Sequence, residues 1–193
     1  MPEIKLVIFD CDGVLVDSEY LAARHEARRY GEHGLELSIA EFSGRFAGLT
    51  GEAICREVEE ELGRKLPSGL QREIERELDQ ILEQEVEAIA GVVDALDRIG
   101  LPRCICSNSP PDRLKAMLKR TELYDRFRPY VFSARELDPP APKPAPDVFL
   151  HAMRTFDAGP GQTVVIEDSV HGVTAARRSE ERRVGKECRS RWS

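Results

Sequence analysis

Asp10 and Asp12 stand on either side of Cys11 directly after an apolar run, and Gly13 follows them. Two carboxylates two positions apart at the end of a strand repel each other unless a cation or a proton neutralises one. A hard divalent ion such as magnesium meets that need, because it takes oxygen ligands and commonly shares its sphere with a substrate phosphate. One carboxylate of the pair is then left to attack and the other to carry a proton. Gly13 lets the chain turn sharply away from the acids. A calcium loop competes for the same residues, but it needs glycine at its sixth position and an acid at its twelfth. Counted from Asp10, this chain has Leu15 and Leu21 there.

Three more polar clusters deserve the same question. Ser107-Asn108-Ser109 offers hydroxyls and main-chain amides at the entrance to a helix, which suits a phosphoryl oxygen. Taken alone, Ser109, Pro110 and Asp112 read equally as an ordinary capped helix start. Lys143 is a lone lysine, usually a solvated residue, but flanking prolines stiffen its backbone and make it a positioned point charge. Glu167-Asp168-Ser169 again sets adjacent acids after an apolar segment, which calls for a cation or else caps a helix.

What would hold these clusters together is a parallel sheet. Ile4 to Phe9 is nearly continuous in apolar residues, as a strand buried on both faces is. Strands are also expected at Arg103 to Cys106, Tyr130 to Ser133 and Thr163 to Glu167. Helices are expected between them, at Val92 to Ile99, Pro110 to Arg120, Pro146 to Phe156 and Val170 to Arg177. Alternation of this kind implies crossover units, and ligands of such sheets bind beyond the carboxyl ends of the strands, where all four clusters lie. About seventy helical residues interrupt the series after the first strand. Helices are expected there from Ser18 to about Gly34, at Ile39 to Phe46, at Thr50 to Leu62 and at Gly69 to Ile89, the last with an apolar stripe at Leu70, Ile74, Leu78, Ile81, Leu82, Val86 and Ile89. The expected fold is therefore α/β, a doubly wound parallel core of residues 1–16 and 90–177 with an all-helical insert at 17–89. The proline-rich stretch Asp138 to Pro146 reads as a rigid loop leading into a helix.

The chain has 193 residues, of which 41% are hydrophobic and 33% charged, so it can bury a core. Its apolar runs are far shorter than the roughly 20 residues that span a bilayer, so no membrane helix is expected. A net charge of -7 argues against binding a phosphate backbone, which needs clustered positive charge, so nucleic acid is not an expected partner. Five irregularly spaced cysteines and the lack of a secretory leader fit a reducing cytoplasm. Cys104 and Cys106 fall on one face of a strand and read as packing, and Cys11 is expected to pack inward. His25, His33, His151 and His171 show no metal spacing.

Jointly, Asp10-x-Asp12-Gly13-x-x-x-Asp17-Ser18-Glu19, Ser107-Asn108, Lys143-Pro144-x-Pro146-Asp147 and Glu167-Asp168-Ser169-x-x-Gly172 resemble the motifs of the haloacid dehalogenase superfamily. The resemblance is to its phosphatases and phosphotransferases, in the branch of β-phosphoglucomutase-like enzymes and sugar phosphatases with a helical cap. It implies that Asp10 is a nucleophile forming an aspartyl-phosphate and that Asp12 protonates the leaving oxygen and then activates water. Ser107, Asn108 and Lys143 are implied to hold the phosphoryl group. Mg2+ is implied at the Asp10 carboxylate, the Asp12 carbonyl and Asp168, with Glu167 in support, and the insert is implied to be a mobile cap that sets substrate identity.

Dehalogenating members lack the second acid of the first motif, so Asp12 favours phosphate chemistry. Sugar-phosphate mutases of the branch carry a histidine where this chain has Ala22 and a cap-loop lysine where it has Ala47. A monomeric phosphatase of a small phosphorylated metabolite, a sugar phosphate by expectation, is thus preferred over a phosphomutase. An inactive fragment or binding protein is the alternative of another class. Residues 178–193 resemble a translated sequencing adapter, and on that reading the natural C-terminus is missing. The strand at Thr163 to Glu167 would then be a bare sheet edge.

Overall fold

A computed structural model of the chain describes residues 3–179 and, as main chain alone, 182–183. Strands β1 (Leu6–Phe9), β2 (Arg103–Ser107), β3 (Val131–Ser133), β4 (Thr163–Ile166) and β5 (Arg182–Arg183) pair in parallel in the order β3-β2-β1-β4-β5. The chain divides into two compact units, Met1–Asp17 with Glu87–Ser193 and Ser18–Val86. The fold is α/β, with a helical insertion between β1 and β2.

In the sheet unit, β1 is central and buried at every position, which is why it carries no polar residue. Successive side chains alternate between its faces. Leu6 and Ile8 join Cys104, Cys106 and Val165 in an apolar cluster with Val148, Phe149, Ala152 and Met153 of α8 (Asp147–Thr155) and Ala175 and Ala176 of α9 (Val170–Arg178). Phe9 faces the other way and meets the ring of Phe127 edge-on, with centroids 5.7 Å apart. Phe127 closes a one-turn helix, α7 (Tyr124–Phe127), that the sequence pattern does not mark, since four residues are too few for a periodicity. Helices thus cover both faces, α5 (Val92–Arg98) and α6 (Pro111–Arg120) completing the unit.

Helix α1 (Ser18–Gly31), α2 (Ile39–Phe46), α3 (Gly51–Leu62) and α4 (Leu70–Glu85) make the second unit around Tyr30, Phe42, Phe46, Ile54, Val58, Leu70 and Ile74. Helix α2 starts on a capping box, in which Ser38 accepts from the Glu41 amide and Glu41 accepts from the Ser38 amide. The expected helix Gly69 to Ile89 stops at Glu85. There the chain turns extended, because the Glu87 carbonyl accepts from Asp17 N and Ile89 N donates to the Leu15 carbonyl, bonds no helix can supply.

The edge of β4 expected to be bare is paired at Val164 and Val165 with Arg182 and Arg183. The rest of the adapter-like segment, beyond Arg178, Ser179 and these two residues, lies outside the described residues. Among the described residues no helix is long and apolar enough to cross a membrane.

Candidate active site

Register brings the motifs together. Phe9 pairs with Ile105 on one side and with Ile166 on the other, so Asp10, Cys106-Ser107 and Glu167 emerge at one level from three adjacent strands. Asp10 keeps its place in the ladder, its amide donating to the Ile166 carbonyl at 2.9 Å. After it the chain folds back on itself. Leu15 N and Val16 N both donate to the Cys11 carbonyl, Gly13 N donates to the Val16 carbonyl, and Gly13 takes φ +73°, which a side chain disfavours. Cys11 is buried, as are Cys104 and Cys106.

Asp10 is 7% exposed and Lys143 6%. The Lys143 ammonium donates to Asp10 Oδ1 at 2.9 Å and to Glu167 Oε1 at 2.5 Å, and lies 5.0 Å from the centre of the Phe149 ring. Burial alone would depress the lysine, but the two carboxylates outweigh it and hold the ammonium well above its ordinary pKa. For Asp10 burial dominates and pushes the carboxyl well above the usual range, with Lys143 opposing and Glu167 and Asp12 adding repulsion.

Carboxylate oxygens of Asp10, Glu167 and Asp168 lie within 4.8 Å of one another. Fully ionised, three carboxylates against one ammonium carry two excess negative charges, the charge a divalent cation brings. Hard oxygen donors so gathered fit magnesium, whose usual sites take one or two carboxylates and leave room for phosphate and water. Two glycines make room for the acids. A Cβ on Gly13 would stand 2.0 Å from Asp168 Oδ2, and one on Gly172 would stand 1.7 Å from Glu167 Oε1. Glu167 Oε2 also accepts from the Ser169 amide at 3.1 Å and the Ser169 hydroxyl at 3.0 Å, while that hydroxyl accepts from Gly172 N to start α9.

The carboxylate of Asp12 is not in this group of three. Its Oδ2 accepts from the Ser107 hydroxyl at 3.2 Å and from the Ser109 hydroxyl at 2.8 Å. Ser109 is therefore not a helix cap, as its sequence neighbours allow; Pro110 holds that position without a side-chain bond. Asn108 faces the main chain of Lys143, donating from Nδ2 to its carbonyl at 3.1 Å and accepting its amide on Oδ1 at 2.7 Å. Two residues not singled out from the sequence fasten this loop: the Ser133 hydroxyl donates to the Ser109 carbonyl, and Arg135 Nε donates to the Asn108 carbonyl. Ser133 ends β3, so the rule that located the other clusters would have found it too.

Acids, a buried lysine and hydroxyls thus converge beyond the strand ends of a parallel sheet, the place where such sheets bind ligands. Residues 4–180 match the family described as haloacid dehalogenase-like hydrolase, and the chain belongs to that family. It is 30% identical over 173 residues to the 6-phosphogluconate phosphatase of Escherichia coli (strain K12), covering 89% of this chain and 77% of that one. A conserved haloacid dehalogenase-like protein of unknown function from Agrobacterium tumefaciens str. C58 shares the fold at a TM-score of 0.90 with 46% identity, over 94% of this chain and 82% of its own. A hydrolase of the family from Deinococcus radiodurans R1, solved with bound phosphate and sodium, gives a TM-score of 0.80 at 28% identity, over 93% and 79% of the two chains.

Proposed function

We propose that this family phosphatase is a magnesium-dependent phosphomonoesterase that hydrolyses a small phosphorylated metabolite, a sugar phosphate, through an aspartyl-phosphate on Asp10. The observation that carries the reading is the buried Asp10 carboxylate beside Lys143, within 4.8 Å of the Glu167 and Asp168 oxygens. An Asp10 oxygen attacks phosphorus as the bond from phosphorus to the leaving oxygen breaks, and Asp12 gives its proton to that oxygen. Asp12 then takes a proton from water, whose oxygen attacks phosphorus and releases inorganic phosphate and the free Asp10 carboxylate. Lys143 and the Ser107 hydroxyl bind the phosphoryl oxygens, where charge builds.

Asp10, Asp168 and the main-chain oxygen of Asp12 would hold magnesium, with Glu167 behind them, and the bound ion would supply charge stabilisation to the phosphoryl oxygens. Asn108 acts on the phosphate at one remove, by fixing the main chain of Lys143. The sugar-phosphate class is supported by the name of the Escherichia coli relative, a 6-phosphogluconate phosphatase, and phosphate binding by the phosphate present in the Deinococcus structure. The test is phosphate release from a panel of sugar phosphates. Turnover is expected to vanish with chelator, return with magnesium, and fall more than about 10³-fold in Asp10→Asn. Wild-type turnover in that variant would falsify the nucleophile.

A further inference from the structure

Asp12 is held in part from the end of β2 and the residues just after it. Ser107 and Ser109 both donate to the same oxygen, Oδ2, and the Ser109 amide donates to the Ser107 hydroxyl at 2.9 Å, so the two serines form one unit. The shorter of the two bonds to Asp12 belongs to Ser109. Ser109 is itself anchored, since its carbonyl accepts from Ser133, a residue only 2% exposed whose hydroxyl also accepts from Arg135 N.

The serines cannot both keep this arrangement through a reaction. In the phosphatase reading, on which this inference rests, Ser107 must turn its hydroxyl to a phosphoryl oxygen. A hydroxyl has one hydrogen, so Ser107 then gives up Asp12. Ser109 alone of the pair remains to hold Oδ2. We propose that Ser109 is the positioning residue that keeps the Asp12 carboxyl aimed at the leaving oxygen once substrate has claimed Ser107. The Ser133 and Arg135 bonds to its loop are the fixed backing against which it works. A carboxyl that has lost this bond is less well aligned for proton transfer, while phosphate binding and nucleophilic attack stay with other groups.

The effect must therefore depend on how much the leaving group needs a proton. The experiment measures kcat/KM for p-nitrophenyl, phenyl and benzyl phosphate, whose leaving oxygens are increasingly basic, in wild type, Ser109→Ala, Ser109→Thr and Asp12→Asn. Expected is a loss in Ser109→Ala that grows along the series, about tenfold or more greater for the benzyl than for the p-nitrophenyl ester, within the 10²–10⁴-fold range of general acid catalysis. Ser109→Thr, which retains the hydroxyl, should keep the wild-type ratio, and adding Ser109→Ala to Asp12→Asn should steepen the series no further. Because each value is a ratio within one preparation, partial unfolding cancels. A loss equal across the three esters, or a rise in KM with kcat unchanged, overturns the inference and assigns Ser109 to binding. Absence of magnesium-dependent turnover of every ester by wild type overturns the phosphatase reading instead.

Discussion

The sheet unit buries three ionisable side chains against one another, whereas the helical unit buries one imidazole beside partly covered ion pairs. In the first, Asp10, Lys143 and Glu167 form a chain of charge-assisted bonds, and glycines stand where any side chain would displace an acid. In the second, His25 of α1 has a side chain 1% exposed, yet its Nδ1, with Arg29 Nε and Glu77 Oε2, has no hydrogen-bond partner. The sheet unit concentrates like charge at a cost in stability, as any cluster of acids able to hold a cation does. The helical unit carries its charges outward, in pairs such as Arg24 with Glu85 and Arg28 with Glu32 that contribute little. Substitutions should therefore act very differently in the two places.

The largest difference is expected from Lys143→Met. It leaves Asp10 and Glu167 buried without the ammonium between them, and breaking a buried pair on one side costs about 3–5 kcal/mol. Urea unfolding should show that loss, and magnesium should restore part of it by binding the folded state. A change below about 1 kcal/mol, the scale of an exposed pair, would erase the contrast between the units.

Glycine sharpens it. Gly172→Ala puts a methyl where Glu167 Oε1 now lies, so the carboxylate must leave Lys143 or Ser169. Magnesium affinity should fall about tenfold, equivalent to 1.4 kcal/mol, read from the metal dependence of turnover. Gly44→Ala in α2 meets nothing within 4 Å, and there the same change should stabilise by about 0.5–1 kcal/mol through helix propensity alone.

Legibility from sequence follows the same division. Three of the four clusters could be found because a parallel sheet delivers its chemistry at strand ends, and Asp10, Ser107 and Glu167 sit within a residue of such ends, whereas Lys143 comes from the loop between β3 and α8. Their partners were harder. Asn108 reads as a phosphate ligand from its place beside Ser107, but its amide meets the main chain 35 residues away, a pairing with no local signature. Ser109 reads as a cap because Ser-Pro-x-Asp is also how helices begin, and only the return of Asp12 to that point distinguishes the two. In the helical unit the apolar stripe gives α4 but overruns it. Val86 stays buried after the helix stops, so burial continues where periodicity does not.

The subtlest test concerns His25. Its Nε2 lies 3.2 Å from the Ile74 carbonyl and 3.4 Å from Glu77 Oε2, and since both oxygens only accept, Nε2 must carry the hydrogen. Burial is the largest influence and lowers the imidazole pKa below its ordinary value; Arg28 and Arg29 push the same way, while Glu77 and the Ile74 bond oppose. The unfolded chain, titrating near 6.5, therefore binds more protons than the folded one in the range just below that pH. Stability is full above about 6.5 and is lost as pH falls beneath it. The imidazole proton shifts of the folded chain, followed by NMR, should give a midpoint below 6.5. His25→Gln should flatten the fall in urea midpoint between pH 7.5 and 5.5. A midpoint above 6.5 would mean that Glu77 governs the imidazole, and the helical unit would then hold a buried ion pair of the kind found beside Asp10.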